Sequence, residues 1–238
     1  MIEDKDRLTT LNDHYKDTIS YLKKDLDKRD KITIYLFLIL IIYSLVEFQQ
    51  IDSESILNDL CKKYISVSLN INYSLITTTI LTLVFAFTIK YFQMCMSIER
   101  QYKYIDRIEL NINDISNQQL ITRESYSYLD SYPLLSAFIH RIYSFFLPIA
   151  LVILMSIKLS YIFIDLINQI NVLKENGFIF ILSSKPVIIS LINLLISVLT
   201  ILTTILYLLF AHKDIRWVSK INQQLKKIFV LLHLYKED

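Results

Sequence analysis

The chain has 238 residues, 53% of them hydrophobic, with one glycine and a formal net charge of +2, and its mean hydropathy is +0.41. A soluble domain has no core large enough to hide several long uncharged runs, so this composition excludes an ordinary water-soluble fold and reads as an integral membrane protein. With prolines only at 133, 148 and 186 and no strand-like alternation, the expected class is all-α, with four transmembrane helices and helical cytosolic extensions.

Residues 1–31 are predicted to form a cytosolic amphipathic helix. Leu8, Leu11, Tyr15, Ile19, Leu22 and Leu26 follow one another at spacings of 3 or 4, with charge on the opposite face. No apolar core of a cleavable signal peptide is expected in this stretch. Neither Pro nor Gly separates it from the apolar run 32–46, so a single helix is predicted to continue through a first span to about Gln49. A polar outer connection over 49–68 leads to a second span at about 70–92. That span carries Ser74, Thr77, Thr78, Thr79 and Thr82 as a polar face, and 32–96 reads as the first transmembrane pair. The apolar period then persists through Ile98, Tyr102, Ile105, Ile108, Ile112 and Ile115 with charges between them, so the helix is expected to leave the membrane and continue into a cytosolic segment, 97–143. Within it, 117–133 is predicted as loop with a short helix starting near Thr122 and stopping before Pro133.

A third span is predicted at 144–165, with Pro148 in its first turn, where proline is best tolerated. An outer connection at 168–186 follows, whose 178–182 run is placed at the membrane interface. The fourth span, 187–211, is the most hydrophobic part of the chain, and its 25 residues rise about 37 Å against about 30 Å of hydrocarbon. Together 144–211 form the second transmembrane pair. Ser190, Asn193, Ser197, Thr200 and Thr204 lie on one narrow face of the fourth span. Two readings stay open for that face: a packing seam between helices, or a surface whose copies line a polar pathway through an oligomer. In the second reading Asn193, Ser197, Thr200 and Thr204 border the pore, with Thr78 and Thr82 of the second span as the other candidates. Residues 212–238 read as a basic cytosolic helix.

Lys and Arg number 8 in the N-terminal segment, 6 over 90–141 and 6 after His212, against 2 in each outer connection. This 20 to 4 bias places both termini and the middle segment in the cytosol. Two charges then fall at membrane depth. Glu47 stands 15 residues after Ile32 and Lys158 stands 14 after Ser144, so both lie about 21 to 23 Å in, at one level. They either pair or meet an aqueous cavity, or else snorkel independently to the surface.

No enzyme chemistry is expected, and neither cofactor nor metal. His14, His140, His212 and His233 lack partners at ligand spacing, and one glycine excludes a phosphate-cradling loop.

A charged helix bearing His14-Tyr15-Lys16-Asp17 and Lys28-Arg29-Asp30-Lys31 runs straight into 32–46, and three more spans and basic helical cytosolic parts follow. This plan resembles small multi-pass membrane effectors of bacterial anti-phage defence, most of all the channel-type effector of Hailong-like systems. The resemblance covers the overall plan and the N-terminal junction. It implies a homo-oligomer; a tetramer is taken as a working number that the resemblance does not supply, and the expected location is the bacterial inner membrane. The resemblance also implies a nucleotidyltransferase partner and control by a nucleotide-type signal. Lys213, Arg216, Lys220, Lys226 and Lys227 are the candidates to meet such an anion, a nucleotide or short oligonucleotide, with anionic lipid headgroups as the competing ligand. The expected function is an oligomeric pore that dissipates ion gradients when open. The alternative is a non-conducting membrane scaffold or sensor that binds a cytosolic partner. A secondary transporter fits less well, because spans broken by Gly or Pro in corresponding halves are missing.

Overall fold

The computed structural model describes residues 2–48, 59, 62–64, 73–121, 134, 138, 142–173, 184–212 and 216–231. Among them all regular structure is helical and no strand occurs. In chain order the elements are α1 (Ile2–Phe48), α2 (Tyr73–Ser116), a π-helical turn (Ile142–Phe146) opening into α3 (Leu147–Leu173), α4 (Lys185–Ala211) and α5 (Arg216–Leu231). The expected short helix after Thr122, the 178–182 run and most of both outer connections lie outside the described residues, as does Lys213.

Neither α1 nor α2 contains a glycine or proline, and each is a single helix by its hydrogen bonding, of 47 and 44 residues, carrying an apolar run and a charged run. Just beyond α2, Asn117 takes the left-handed conformation at φ 51°, which asparagine tolerates because its short polar side chain bonds locally. Asn113 fastens the reversal. Its Oδ1 accepts from the Leu120 and Ile121 N–H groups at 2.9 and 3.1 Å, and its Nδ2 donates to the Ile121 carbonyl at 2.9 Å.

Proline explains the π turn before α3. Pro148 has no N–H for the carbonyl one turn earlier, and a wider turn passes that carbonyl to the next residue along. At the start of α4, Pro186 sits where a helix needs no donor. At its end the His212 N–H and ring Nδ1 both reach the Leu208 carbonyl, at 3.1 and 3.0 Å.

Three helical stretches are long and apolar enough to cross a membrane: Tyr73–Ser116, Ile142–Asn171 and Lys185–Ala211. The uncharged run of α1, 32–46, is shorter. Its 15 residues, bounded by Lys31 and Glu47, rise about 22 Å, less than the hydrocarbon thickness of about 30 Å.

The chain divides into two compact units, Met1–Leu40 with Ala86–Ile139, and Ile41–Phe85 with His140–Asp238. The first is an antiparallel helix pair. Tyr15 meets Glu109 at 3.0 Å, Asp25 meets Gln101 at 2.7 Å, and Tyr35 meets Phe87 edge-on at 6.1 Å, so the partner's number falls as the α1 number rises. Its core is Leu22, Ile98 and Ile105, with Tyr15, Ile19, Leu26 and Tyr102 packed round it. These are residues of the two apolar periods read from the sequence. Each large side chain buried this way contributes about 1.5 to 3 kcal/mol.

In the second unit α3 packs against α4. Phe145 meets His212 at one end, 5.8 Å between ring centroids, and Asp165 meets Ser190 at the other, which makes the pair antiparallel. The outward residues are apolar and exposed: Ile153, Ile157 and Ile164 on α3, and Ile188, Leu195 and Leu202 on α4. α5 is tied to the end of α4 by Asn222 Nδ2, which donates to the Leu209 carbonyl at 2.9 Å.

Candidate functional site

Lys158 and Glu47 form an ion pair inside the second unit. Lys158 Nζ lies 2.6 Å from Glu47 Oε1, and the Tyr73 hydroxyl donates to Glu47 Oε2 at 3.2 Å. One carboxylate therefore joins α1, α2 and α3. The two side chains keep only 10% and 20% of their surface exposed, so neither reaches outward to water in the manner of a snorkelling charge. A lone charge at the centre of a membrane helix costs about 2.5 to 3.5 kcal/mol, and pairing removes the reason for that cost. Tyr43, one turn before Glu47 on the same face, is buried, and its hydroxyl has no hydrogen-bond partner among the described residues. Sequence reasoning passed over Tyr43 and Tyr73. The spacing of four between Tyr43 and Glu47 was the available signal for the first, and nothing in the sequence alone marked the second.

The polar stripe of α4 is turned into the same unit. Its buried face is Val187, Ser190, Asn193, Ser197, Thr200, Thr204 and Tyr207, with Ser197, Thr200 and Thr204 fully covered. The buried residues of α3, the helix that packs against α4, are Leu147, Pro148, Leu151, Met155, Lys158 and Ile162. Of the two readings of this stripe, a seam closed within one chain is the arrangement seen here. The pathway reading now requires the seam to part.

The polar groups along the stripe differ in how they are satisfied. At the Asp165 end, Ser190 Oγ donates to Asp165 Oδ2 at 3.2 Å, and Gln169 Nε2 donates to the same oxygen at 2.7 Å. At the other end, Thr200 and Thr204 turn their hydroxyls back to the carbonyls of Ile196 and Thr200, at 2.8 and 2.7 Å. Between them Asn193 Oδ1 and Ser197 Oγ are buried with no hydrogen-bond partner among the described residues. The antiparallel register fixed by Asp165 and Ser190 brings Lys158, two turns back along α3, to about the level of Ser197, two turns on along α4. Burying a polar group without a partner costs about 1 to 3 kcal/mol, so each of these two oxygens raises the energy of the buried arrangement.

The threonines of α2 stand differently. Thr78 is half-buried and Thr82 exposed, and their hydroxyls bond to the Ser74 and Thr78 carbonyls, each at 2.8 Å. They are satisfied by their own helix and ask for no water.

On α5 the candidates Arg216, Lys220, Lys226 and Lys227 are exposed. Arg216, Lys220 and Lys227 fall within about 40° of one another round the helix, at about 100° per residue. No Asp or Glu occurs in Arg216–Leu231. Among the described residues, no group of three His, Cys, Asp or Glu side chains is placed to hold a metal.

Comparison with known protein families, curated proteins and solved structures gives no match to this chain.

Proposed function

We propose that this chain is a four-span protein of the bacterial inner membrane, both termini cytosolic, and that it is a subunit of an ion-conducting channel. The observation that carries the reading is the buried polar seam of α4. Asn193 Oδ1 and Ser197 Oγ are buried and unpartnered among the described residues, with Ser197 at about the level of Lys158 of the Glu47–Lys158 pair. Groups of this kind at membrane depth favour water in an open state, and they are the chemistry of a conducting path.

α1 supplies the fourth span in this reading. Ile34, Leu38, Ile41, Ile42 and Leu45 are exposed on it, a row of apolar side chains suited to lipid. Lys158 neutralises Glu47, and the stem of Lys31 extends to the headgroups, which lengthens the usable run beyond 32–46.

Opening separates α3 from α4, since the seam is closed between them, and the lining by hydroxyls and an amide selects weakly among small ions. Assembly as a homo-oligomer, release by a cytosolic nucleotide-type ligand, partnership with a nucleotidyltransferase and a role in anti-phage defence rest on the resemblance of the overall plan. The non-conducting scaffold or sensor keeps one specific support: Thr200 and Thr204 are fully buried and internally bonded, as in a permanent packing seam. Purified protein in a planar bilayer separates the two. Conductance that is lost on replacing Asn193 and Ser197 supports the channel, and silence with every nucleotide-type ligand supports the scaffold.

A further inference from the structure

α5 begins a few residues after the last turn of α4 and is held there by the Asn222 to Leu209 bond at 2.9 Å. Its apolar side is covered at that attachment and uncovered away from it. Val218 is 2% exposed, Ile221 37% and Ile228 50%. The opposite side carries exposed Arg216, Lys220 and Lys227, with exposed Lys226 on the flank, and the helix has no acid. A helix packed wholly on protein would cover its far apolar residues, and a free cytosolic helix would not carry them.

We infer that α5 is an interfacial helix that lies on the cytosolic leaflet and docks on anionic phospholipid. Two features select this occupant. α5 starts at the mouth of a helix long and apolar enough to cross the membrane, so the headgroup layer is the surface nearest to it. Its exposed apolar residues suit the acyl boundary, and its acid-free basic face suits phosphate-bearing headgroups. Ile221 and Ile228 enter the boundary layer, and Lys220, Lys226 and Lys227 hold the headgroups. The inference rests on membrane insertion of the chain and is independent of whether the chain conducts.

The chain has one tryptophan, Trp217, and it stands in α5. It serves as the probe. The full-length protein is reconstituted at one copy per nanodisc, in phosphatidylcholine alone or mixed with phosphatidylglycerol, with brominated acyl chains in both. Quenching of Trp217 is expected to be stronger in the anionic discs. The Lys220→Gln, Lys226→Gln, Lys227→Gln triple variant is expected to lose that difference, and Ile221→Ser with Ile228→Ser to lower quenching in both discs. Equal quenching in the two discs, unmoved by the lysine variant, overturns the proposal. Quenching that ignores lipid charge but changes with a short oligonucleotide overturns it in favour of a nucleic-acid surface, and quenching that appears only with two copies per disc overturns it in favour of a second chain. Alkaline carbonate extraction from vesicles keeps the two levels apart. Release of the chain removes the membrane reading and this inference with it, whereas retention without lipid-dependent quenching removes this inference alone.

Discussion

Tyr15 donates its hydroxyl to Glu109 Oε1 at 3.0 Å across 94 positions of sequence. Glu109 is 3% exposed, so a carboxylate is held inside the first helix pair and one of its donors is a side chain of α1. Tyr15→Phe removes that donor while keeping the ring, and is expected to destabilise the pair by about 1 to 3 kcal/mol. Ile105→Ala, at a fully buried position in the same unit, is expected to cost about 2 to 5 kcal/mol, and Leu110→Ala, at an exposed one, little. Thermal unfolding of the detergent-solubilised protein, followed by circular dichroism, gives the order. An Ile105→Ala protein as stable as Leu110→Ala would contradict the pairing.

Glu47 and Lys158 should fail to add. Glu47→Gln or Lys158→Met alone leaves one buried charge without its counterion, at a cost of about 3 to 5 kcal/mol, whereas the double variant leaves none. A coupling of about 0.5 to 3 kcal/mol is expected in a double-mutant cycle on thermal stability or on gating. Strictly additive effects would mean that the two charges act independently.

Ser197→Ala separates packing from conduction. Its hydroxyl is buried and unpartnered, so its removal should leave the closed protein as stable or up to about 1 kcal/mol more stable. If the seam is the conducting path, the same substitution, combined with Asn193→Ala, should reduce single-channel conductance. Alanine at Leu195 or Leu202, both exposed on α4, should leave conductance unchanged. Unaltered conductance in the Asn193→Ala, Ser197→Ala protein would remove α4 from the pathway and turn attention to Thr78 and Thr82.

From the 20 to 4 distribution of Lys and Arg, both termini and the segment 97–143 are expected to be cytosolic. Alkaline phosphatase fused after Asp238 or within 117–121 should be inactive, and a cytosolic reporter at the same points active. The reverse pattern would invert the topology, and with it the leaflet assigned to α5.

The apolar periods of α1 and α2 were legible because each helix buries one stripe, and Leu22, Ile98 and Ile105 are on those stripes. What covers a stripe is not encoded in its spacing. The periodicity of Ser190, Asn193, Ser197, Thr200 and Thr204 is the same whether the face closes on α3 of its own chain or on another copy, so only the structure identifies α3 as the cover. Depth could be counted residue by residue, which put Glu47 and Lys158 at one level. Tyr73 escaped because a tyrosine near the end of a span is ordinary, and its bond to Glu47 depends on how α2 is rotated. Pro148 was legible as a first-turn proline, but the π turn before it depends on how the preceding carbonyls are shared.

The two unpartnered oxygens on α4 also bear on how hard the seam is to open. At about 1 to 3 kcal/mol each, Asn193 Oδ1 and Ser197 Oγ raise the energy of the closed form relative to one in which both are hydrated. Reversing a two-state population from 1:99 to 99:1 takes about 5.5 kcal/mol of differential affinity, so a few atoms supply a sizeable part of the energy a switch needs. If α3 parts from α4 as proposed, hydration of these two oxygens offsets part of the cost of parting, and a ligand that prefers the parted helices has that much less to supply.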